Sequence, residues 1–250
     1  MQIIPLSEGC FSIDQTKIFI PFDKKNNNAA NKPAGSILVE IQPFVIITQK
    51  DIILIDTGLG YINENGEPQL LANLRKAGIN PSQITKVLIS HLHKDHAGGI
   101  CIKNPFSDER FISFPYANYY VQQREFNKFI AAAAADNKEE DFQLLADFSK
   151  LVWLTENEGV IDGYIKYQVT GGHSIFHQVF WIEENNQTLF FGGDVAPQLQ
   201  QMKSRFVAKY DVDGKKCMEL RQQWWEEGSS AAWTFLFYHD ITTPFICPTM

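Results

Sequence analysis

An α/β protein built from two packed β-sheets with helices on the outside is the fold class this sequence predicts. Two observations carry it: β-type and helix-type segments follow one another as strands, helix, strand, helices, strands, helix, strand, and the strands form two groups. The length of 250 residues, 44% hydrophobic and 20% charged, fits a single domain over residues 1–250 without an evident linker.

The elements follow in order. Ile3 to Pro5, Thr16 to Phe22, Ser36 to Thr48 and Asp51 to Ile55 read as antiparallel strands, the second from the alternation of Ile18, Ile20 and Phe22. Between them the polar stretch Asp23 to Gly35, with Pro33 and Gly35, is expected as a surface loop, either mobile or acting as a lid. Leu70, Leu71, Leu74 and Ala77 recur at helical spacing and Gly78 supplies a stop. Lys86 to Ser90 reads as a short buried strand that ends directly at His91. Tyr119 to Val121 is a further strand, and Gln122 to Ala135 and Asp141 to Phe148 are helices around an acidic break at Asp136 to Glu140. Tyr164 to Thr170, His177 to Glu183 and Thr188 to Phe191 are strands of a second sheet, the last two joined by the turn-forming Glu184 to Gln187. Lys215 to Glu227 is a helix, and Ala232 to Tyr238 a last strand that runs into His239.

Charge excludes some functions. With 22 basic and 29 acidic residues, net −7, the chain lacks the positive field that carries affinity for nucleic acid or anionic membranes. No stretch approaches the roughly 20 apolar residues of a membrane span, and no basic leader precedes the apolar N-terminal residues, so a cytoplasmic location is expected. Cys10, Cys101, Cys217 and Cys247 form no CxxC pair and are read as reduced thiols.

The histidines carry the chemistry. Three of six fall in His91-Leu92-His93-Lys94-Asp95-His96, directly after a strand. An extended start projects His91 and His93 to one side, while a tight turn at Lys94 swings Asp95 and His96 toward a second point. Imidazole and carboxylate in that pattern suit zinc-class metals, and two adjacent metal positions are expected.

With its context, Ile53 to Gly60 (ILIDTGLG) and Leu88 to Gly99 (LISHLHKDHAGG), the cluster resembles the metallo-β-lactamase-fold hydrolase superfamily. Its compact single-domain members, such as N-acyl-homoserine lactonase-like and methyl-parathion-hydrolase-like enzymes, are the nearest likeness. The resemblance implies a four-layer αββα sandwich of two mixed β-sheets. It further implies His91, His93 and His173 on one metal, Asp95, His96 and His239 on the other, Asp194 bridging, and Asp56 supporting the ligands from behind. Two divalent ions, zinc first with manganese or iron as alternatives, then activate a bridging hydroxide, with Asp95 and Asp194 as the catalytic carboxylates and Asp95 placed to orient the nucleophile and pass its proton to the leaving group.

Several neighbours are left with two readings. His177 is a support or packing histidine; Asp240 either orients an imidazole or caps a turn. Gly98-Gly99, Gly171-Gly172 and Gly192-Gly193 mark ligand stations or simple turns. Tyr116, Tyr119, Tyr120, Phe126, Phe129, Trp224 and Trp225 line a cleft or, more simply, belong to the core, and Met202 and Phe206 follow Asp194 closely enough to reach a pocket.

Departures narrow the activity. Few residues follow His239, which leaves no room for the glutathione-binding helices of glyoxalase-type thioesterases. His93 stands where flavodiiron proteins carry glutamate, Asp194 where zinc β-lactamases carry cysteine, and Pro197 where the lactonases carry a tyrosine. The expected substrate is a small ester-like or lactone-like molecule. Phosphoester or organophosphate hydrolysis is the alternative, and an iron-dependent redox role lies further off. Neither substrate identity nor oligomeric state is encoded in any motif.

Overall fold

A computed structural model describes residues 1–24, 26, 31–104, 107, 109–133 and 140–248. In chain order its first elements are strands β1 (Gln2–Pro5), β2 (Gly9–Ile13), β3 (Ile20–Pro21), β4 (Ile37–Ile41), β5 (Phe44–Ile47) and β6 (Ile52–Ile55), helix α1 (Gln69–Lys76), strand β7 (Lys86–Leu88) and the one-turn helix α2 (Lys94–Ala97). Strands β8 (Cys101–Lys103), β9 (Arg110–Ile112) and β10 (Asn118–Gln122) follow, then helices α3 (Gln123–Ala133) and α4 (Glu140–Ala146). The second half holds β11 (Leu151–Leu154), β12 (Glu158–Ile161), β13 (Ile165–Val169), β14 (Gln178–Glu184), β15 (Gln187–Phe191), α5 (Leu199–Met202), α6 (Gly214–Ser230), β16 (Thr234–Leu236) and β17 (Phe245–Ile246).

Two six-stranded mixed sheets result, ordered β1-β5-β6-β7-β10-β11 and β12-β13-β14-β15-β16-β17. Alternation along each strand divides the side chains between two faces. Phe44, Ile46, Ile53, Ile55 and Leu88 of the first sheet meet Phe180, Ile182, Leu189, Phe191 and Leu236 of the second in one core. The opposite face of the first sheet, Val45, Leu54, Val87, Tyr119 and Val121, packs on α1, α3 and α4 through Leu70, Leu74, Phe126 and Leu145. The far face of the second, Val179, Phe190, Phe235 and Phe237, packs on Cys217 and Trp224 of α6. The layers are therefore α/β/β/α, the αββα sandwich of two mixed sheets that the resemblance implied.

Two sheets run partly parallel, and this places the site. β6 pairs β7 in parallel and β15 pairs β16 in parallel, so their carboxyl ends lie side by side along one edge, where ligand sites of α/β sheets form.

The sequence reading departs from the structure at several elements. Thr16 to Phe22 is not a full strand. Asp14 Oδ1 accepts from the Thr16 amide at 2.9 Å and Lys17 takes a positive φ of 58°, so a local turn replaces the ladder and only Ile20–Pro21 pairs with β2. Ser36 to Thr48 is two strands, because Pro43 cannot donate to a ladder and the chain bends there. The sequence reading does not predict β2, β8, β9, β11, β12, β17 or the one-turn helix α5; EGVI and LVWL show no alternation. Within Asp23 to Gly35, residues 25 and 27–30 lie outside the described residues, as do Ala134, Ala135 and most of the acidic break at 136–139. No helix among the described residues is long and apolar enough to cross a membrane.

Candidate metal centre

The chain delivers the site in four pieces. After β7, Ser90 to His93 continue extended, and His93, with φ −63° and ψ 150°, starts α2. Its carbonyl accepts from the amides of His96 and Ala97 at 3.0 and 2.9 Å. This one-turn helix is the tight turn that carries Asp95 and His96 away from His91 and His93. The loop before β14 brings His173, the turn after β15 brings Asp194, and the end of β16 leads to His239.

The ligand atoms converge as two groups. His91, His93, His173 and Asp194 each place one donor atom within 4.8 Å of the others, and so do Asp95, His96 and His239. Asp194 faces both: its Oδ1 stands 3.0 Å from Nε2 of His96 and 3.0 Å from Nε2 of His239, while its Oδ2 stands 3.1 Å from Nε2 of His173 and 3.9 Å from Nε2 of His91. His91 Nε2 and His173 Nε2 approach His93 Nδ1 to 2.9 and 3.0 Å.

Three of the inward nitrogens are set by what holds the other side of their rings. His96 Nδ1 meets Asp56 Oδ2 at 2.7 Å, His173 Nδ1 meets Asp211 Oδ1 at 2.8 Å, and His239 Nδ1 meets the Glu40 carbonyl at 2.7 Å. A ring that donates at Nδ1 presents a lone pair at Nε2. Three inward lone pairs thus crowd a buried carboxylate, and Asp194 Oδ1 has no hydrogen-bond partner. Lone pairs that face a carboxylate this closely need protons or a shared cation between them, and imidazole with carboxylate is a donor set that fits divalent metal ions.

Each candidate residue has a place. Asp56, fully buried, adopts a positive φ of 55° at the end of β6. There it accepts from the amide and hydroxyl of Ser90, both at 2.7 Å, as well as from His96. His177 Nε2 accepts from the Asp194 amide at 3.1 Å, and its ring lies 5.0 Å from that of His91; it supports the turn that presents Asp194. At Gly193 a Cβ would stand 2.5 Å from His177 Nε2, and φ is +49°, so this turn requires glycine. Asp240 does not reach an imidazole. Its carboxylate accepts from the amides of Leu199, Thr242 and Thr243 at 2.9, 3.0 and 2.8 Å, which makes it a turn cap. Met202 is buried in the α6 core rather than in a pocket. Tyr119, Tyr120, Phe126, Phe129, Trp224 and Trp225 likewise belong to the cores, whereas Tyr116 is exposed.

Three contacts carried no sequence signal that was read. Asp211 follows His173 by 38 residues without a motif. The Glu40 contact is to a backbone carbonyl. Tyr238 stacks on His96 at 4.0 Å and donates to the Asp95 carbonyl at 2.6 Å; its adjacency to His239 was the one available hint. Removing Asp211 frees the His173 ring: Asp211→Ala is expected to weaken zinc affinity about 10–100-fold, with Asp211→Asn intermediate, as read by competition with a chromogenic chelator.

Electrostatics divide the histidines. Burial, reinforced by neighbouring imidazoles, holds His91 and His177 well below the usual histidine range and His93 at about 4. Burial also opposes charge on His96 and His239, but Asp194 and Asp95 outweigh it and raise both. Burial would raise Asp194 too, yet His96, His239 and His173 hold it well below the carboxylate range. In chelator-treated protein the signs oppose each other. Below about 6.5 the unfolded chain takes up protons that His91, His93 and His177 refuse; these outnumber the protons kept by Glu8 and Asp56, whose carboxyls burial raises, so stability falls as pH drops toward 4. Above about 6.5 the native state retains protons on His96 and His239 that the unfolded chain has lost, so stability also falls as pH rises. Urea unfolding of metal-free protein is expected to show a maximum near pH 6.5; a steady rise from pH 5 to 8 would contradict these assignments.

The family model for the metallo-beta-lactamase superfamily matches residues 39–100, the segment from β4 through the His91 cluster. A probable metal-dependent hydrolase from Staphylococcus aureus is 26% identical, with a TM-score of 0.76 over 98% of this chain and 91% of its own. Over residues 39–100 the chain is similar to the metallo-β-lactamase superfamily. The chain is also similar to an N-acyl homoserine lactonase from Bacillus cereus, 25% identical over 188 residues, 67% of this chain and 68% of the lactonase. Two further solved structures share the fold: AidC, a dizinc quorum-quenching lactonase (19% identical, TM-score 0.71, covering 97% of this chain and 88% of that one), and the hydrolase AbOPH (22%, 0.73, 100% and 90%).

Proposed function

We propose that this chain is a hydrolase of that superfamily, holds two divalent ions, zinc first, and cleaves a small ester-like or lactone-like molecule. The observation that carries the reading is Asp194, whose two oxygens face two different groups of ligand atoms. His91, His93 and His173 would hold one ion, Asp95, His96 and His239 the other, with Asp194 between them. When bound, such ions acidify water toward neutrality and polarise a carbonyl oxygen. The chain's own part is to fix the rings, through Asp56, Asp211 and the Glu40 carbonyl, and to keep Asp95 near the second group. Asp95 Oδ2 lies 3.4 Å from His239 Nε2 and 3.8 Å from His96 Nε2, close enough to orient a nucleophile and hand a proton to a leaving group. The net negative charge, and lactonases among the similar proteins, support a small neutral substrate over nucleic acid. A panel of lactones, aryl esters, thioesters, phosphodiesters and phosphotriesters tests this with zinc-loaded protein. Turnover of lactones or carboxylic esters, abolished by chelator and restored by zinc, is expected; turnover of phosphotriesters alone would select the alternative.

A further inference from the structure

The segment between Asp194 and α6 carries Tyr210, whose ring lies edge-on to His173 with centroids 6.2 Å apart. Half of its surface is open, at 52%, so the phenol stands at the mouth of the cluster rather than in the core. Its hydrogen bonding is one-sided. Gln201 Nε2 donates to the phenol oxygen at 3.5 Å, and among the described residues nothing accepts the phenol's own proton. Tyr238, the other phenol in ring contact with the site histidines, has its hydroxyl committed to the Asp95 carbonyl at 2.6 Å. Tyr210 is therefore a neutral donor with a free O–H beside the ligand rings, and tyrosine remains protonated at any pH where the imidazoles can bind metal.

The segment is held so that this donor keeps its place. Arg221, fully buried on α6, donates to the Phe206 carbonyl and, at 2.8 Å, to the Val195 carbonyl, tying the segment to the Asp194 turn. On the other side of Tyr210, Asp211 holds His173 and the amides of Val212 and Asp213 donate to His173 and Gly172 carbonyls at 3.3 and 2.8 Å. A donor preorganised in this way costs little ordering when it binds a ligand.

We propose that the Tyr210 hydroxyl donates a hydrogen bond to a carbonyl oxygen of the bound ester or lactone and orients it against the His/Asp cluster; this rests on the hydrolase reading above. Replacing the hydroxyl removes one hydrogen bond, so Tyr210→Phe weakens binding about tenfold without touching a metal ligand. The test uses zinc-loaded wild type, Tyr210→Phe and Tyr210→Ala with δ-valerolactam, which presents the ring carbonyl of a lactone and resists cleavage. Ligand-observed NMR is expected to give a dissociation constant about tenfold higher for Tyr210→Phe, with zinc content and Tm unchanged. Equal affinity in wild type and Tyr210→Phe, no binding to wild type, or zinc loss from Tyr210→Phe would each overturn the assignment. Hydrolysis of δ-valerolactone and phenyl acetate by wild type is measured alongside: a chain that binds lactam through Tyr210 but cleaves neither ester defeats the hydrolase reading and leaves the Tyr210 contact standing.

Discussion

Asp194→Ala is expected to leave at most one metal ion per chain and to lower turnover of any accepted ester by about a thousandfold or more. Both carboxylate oxygens lie within about hydrogen-bonding distance of ligand imidazoles, at 3.0, 3.0 and 3.1 Å from His96, His239 and His173. Without this carboxylate the two groups lose the one anion common to both, and cations placed there would face each other unscreened. A metal ion lost with it would take away several kcal/mol of charge stabilisation at the reacting centre, and each 1.4 kcal/mol is tenfold in rate. Elemental analysis and the ester assay read both consequences. His177→Ala provides the contrast, since that ring accepts from the Asp194 amide and packs beside His91 and His173 without belonging to either ligand group. It should retain both metals and much of the activity while losing about 1–3 kcal/mol of stability from the amide left unpaired. Metal loss from His177→Ala with a full site in Asp194→Ala would mean the two roles are exchanged.

Asp56→Ala is expected to be the most destabilising single change at the centre. Its carboxylate is fully buried and takes three donors, the Ser90 amide, the Ser90 hydroxyl and His96 Nδ1, all at 2.7 Å. Removing it strands all three away from water, and a charge-bearing buried partner lost in this way costs about 3–5 kcal/mol. Against a net stability of about 5–15 kcal/mol, that lowers Tm by roughly 10 °C in a chain of this size. Zinc affinity falls as well, about 10–100-fold, because His96 loses the group that fixes its ring. Thermal unfolding with and without zinc separates the two effects. Asp56→Asn, which keeps one acceptor oxygen, should recover part of the stability; an Asp56→Ala chain as stable as wild type would contradict the placement of Asp56 behind His96.

How much of this could be read beforehand depends on whether the relevant contact lies along the chain or across it. Two packed sheets with helices outside were legible because strand-type and helix-type segments follow one another in two strand groups and the spacing of Leu70, Leu71 and Leu74 marks one helical stripe; the four-layer αββα form with mixed sheets came from the resemblance. The His91 to His96 cluster was legible because its residues are neighbours and strand geometry followed by one turn of helix fixes where they point. Thr16 to Phe22 misled for the same reason reversed: its alternation is real, but Asp14 and Lys17 make a turn, and Ile18 and Ile20 end up exposed. Asp211, the Glu40 carbonyl and Tyr210 were not legible. Each meets its histidine only after distant segments fold together, and neither a backbone carbonyl nor an isolated acid or phenol has a pattern. Asp240 shows the converse, a residue beside a ligand in sequence whose side chain turns away to cap Leu199, Thr242 and Thr243.

The central claim is two metal ions serving one hydrolytic site, and stoichiometric reconstitution tests it most directly. Chelator-treated protein is titrated with zinc while cleavage of the best lactone or ester from the panel is followed. The two ligand groups joined by Asp194 predict activity that climbs until two equivalents per chain are bound and then holds level. Full activity in metal-free protein, or a plateau at one equivalent with the second ion without effect, would contradict it.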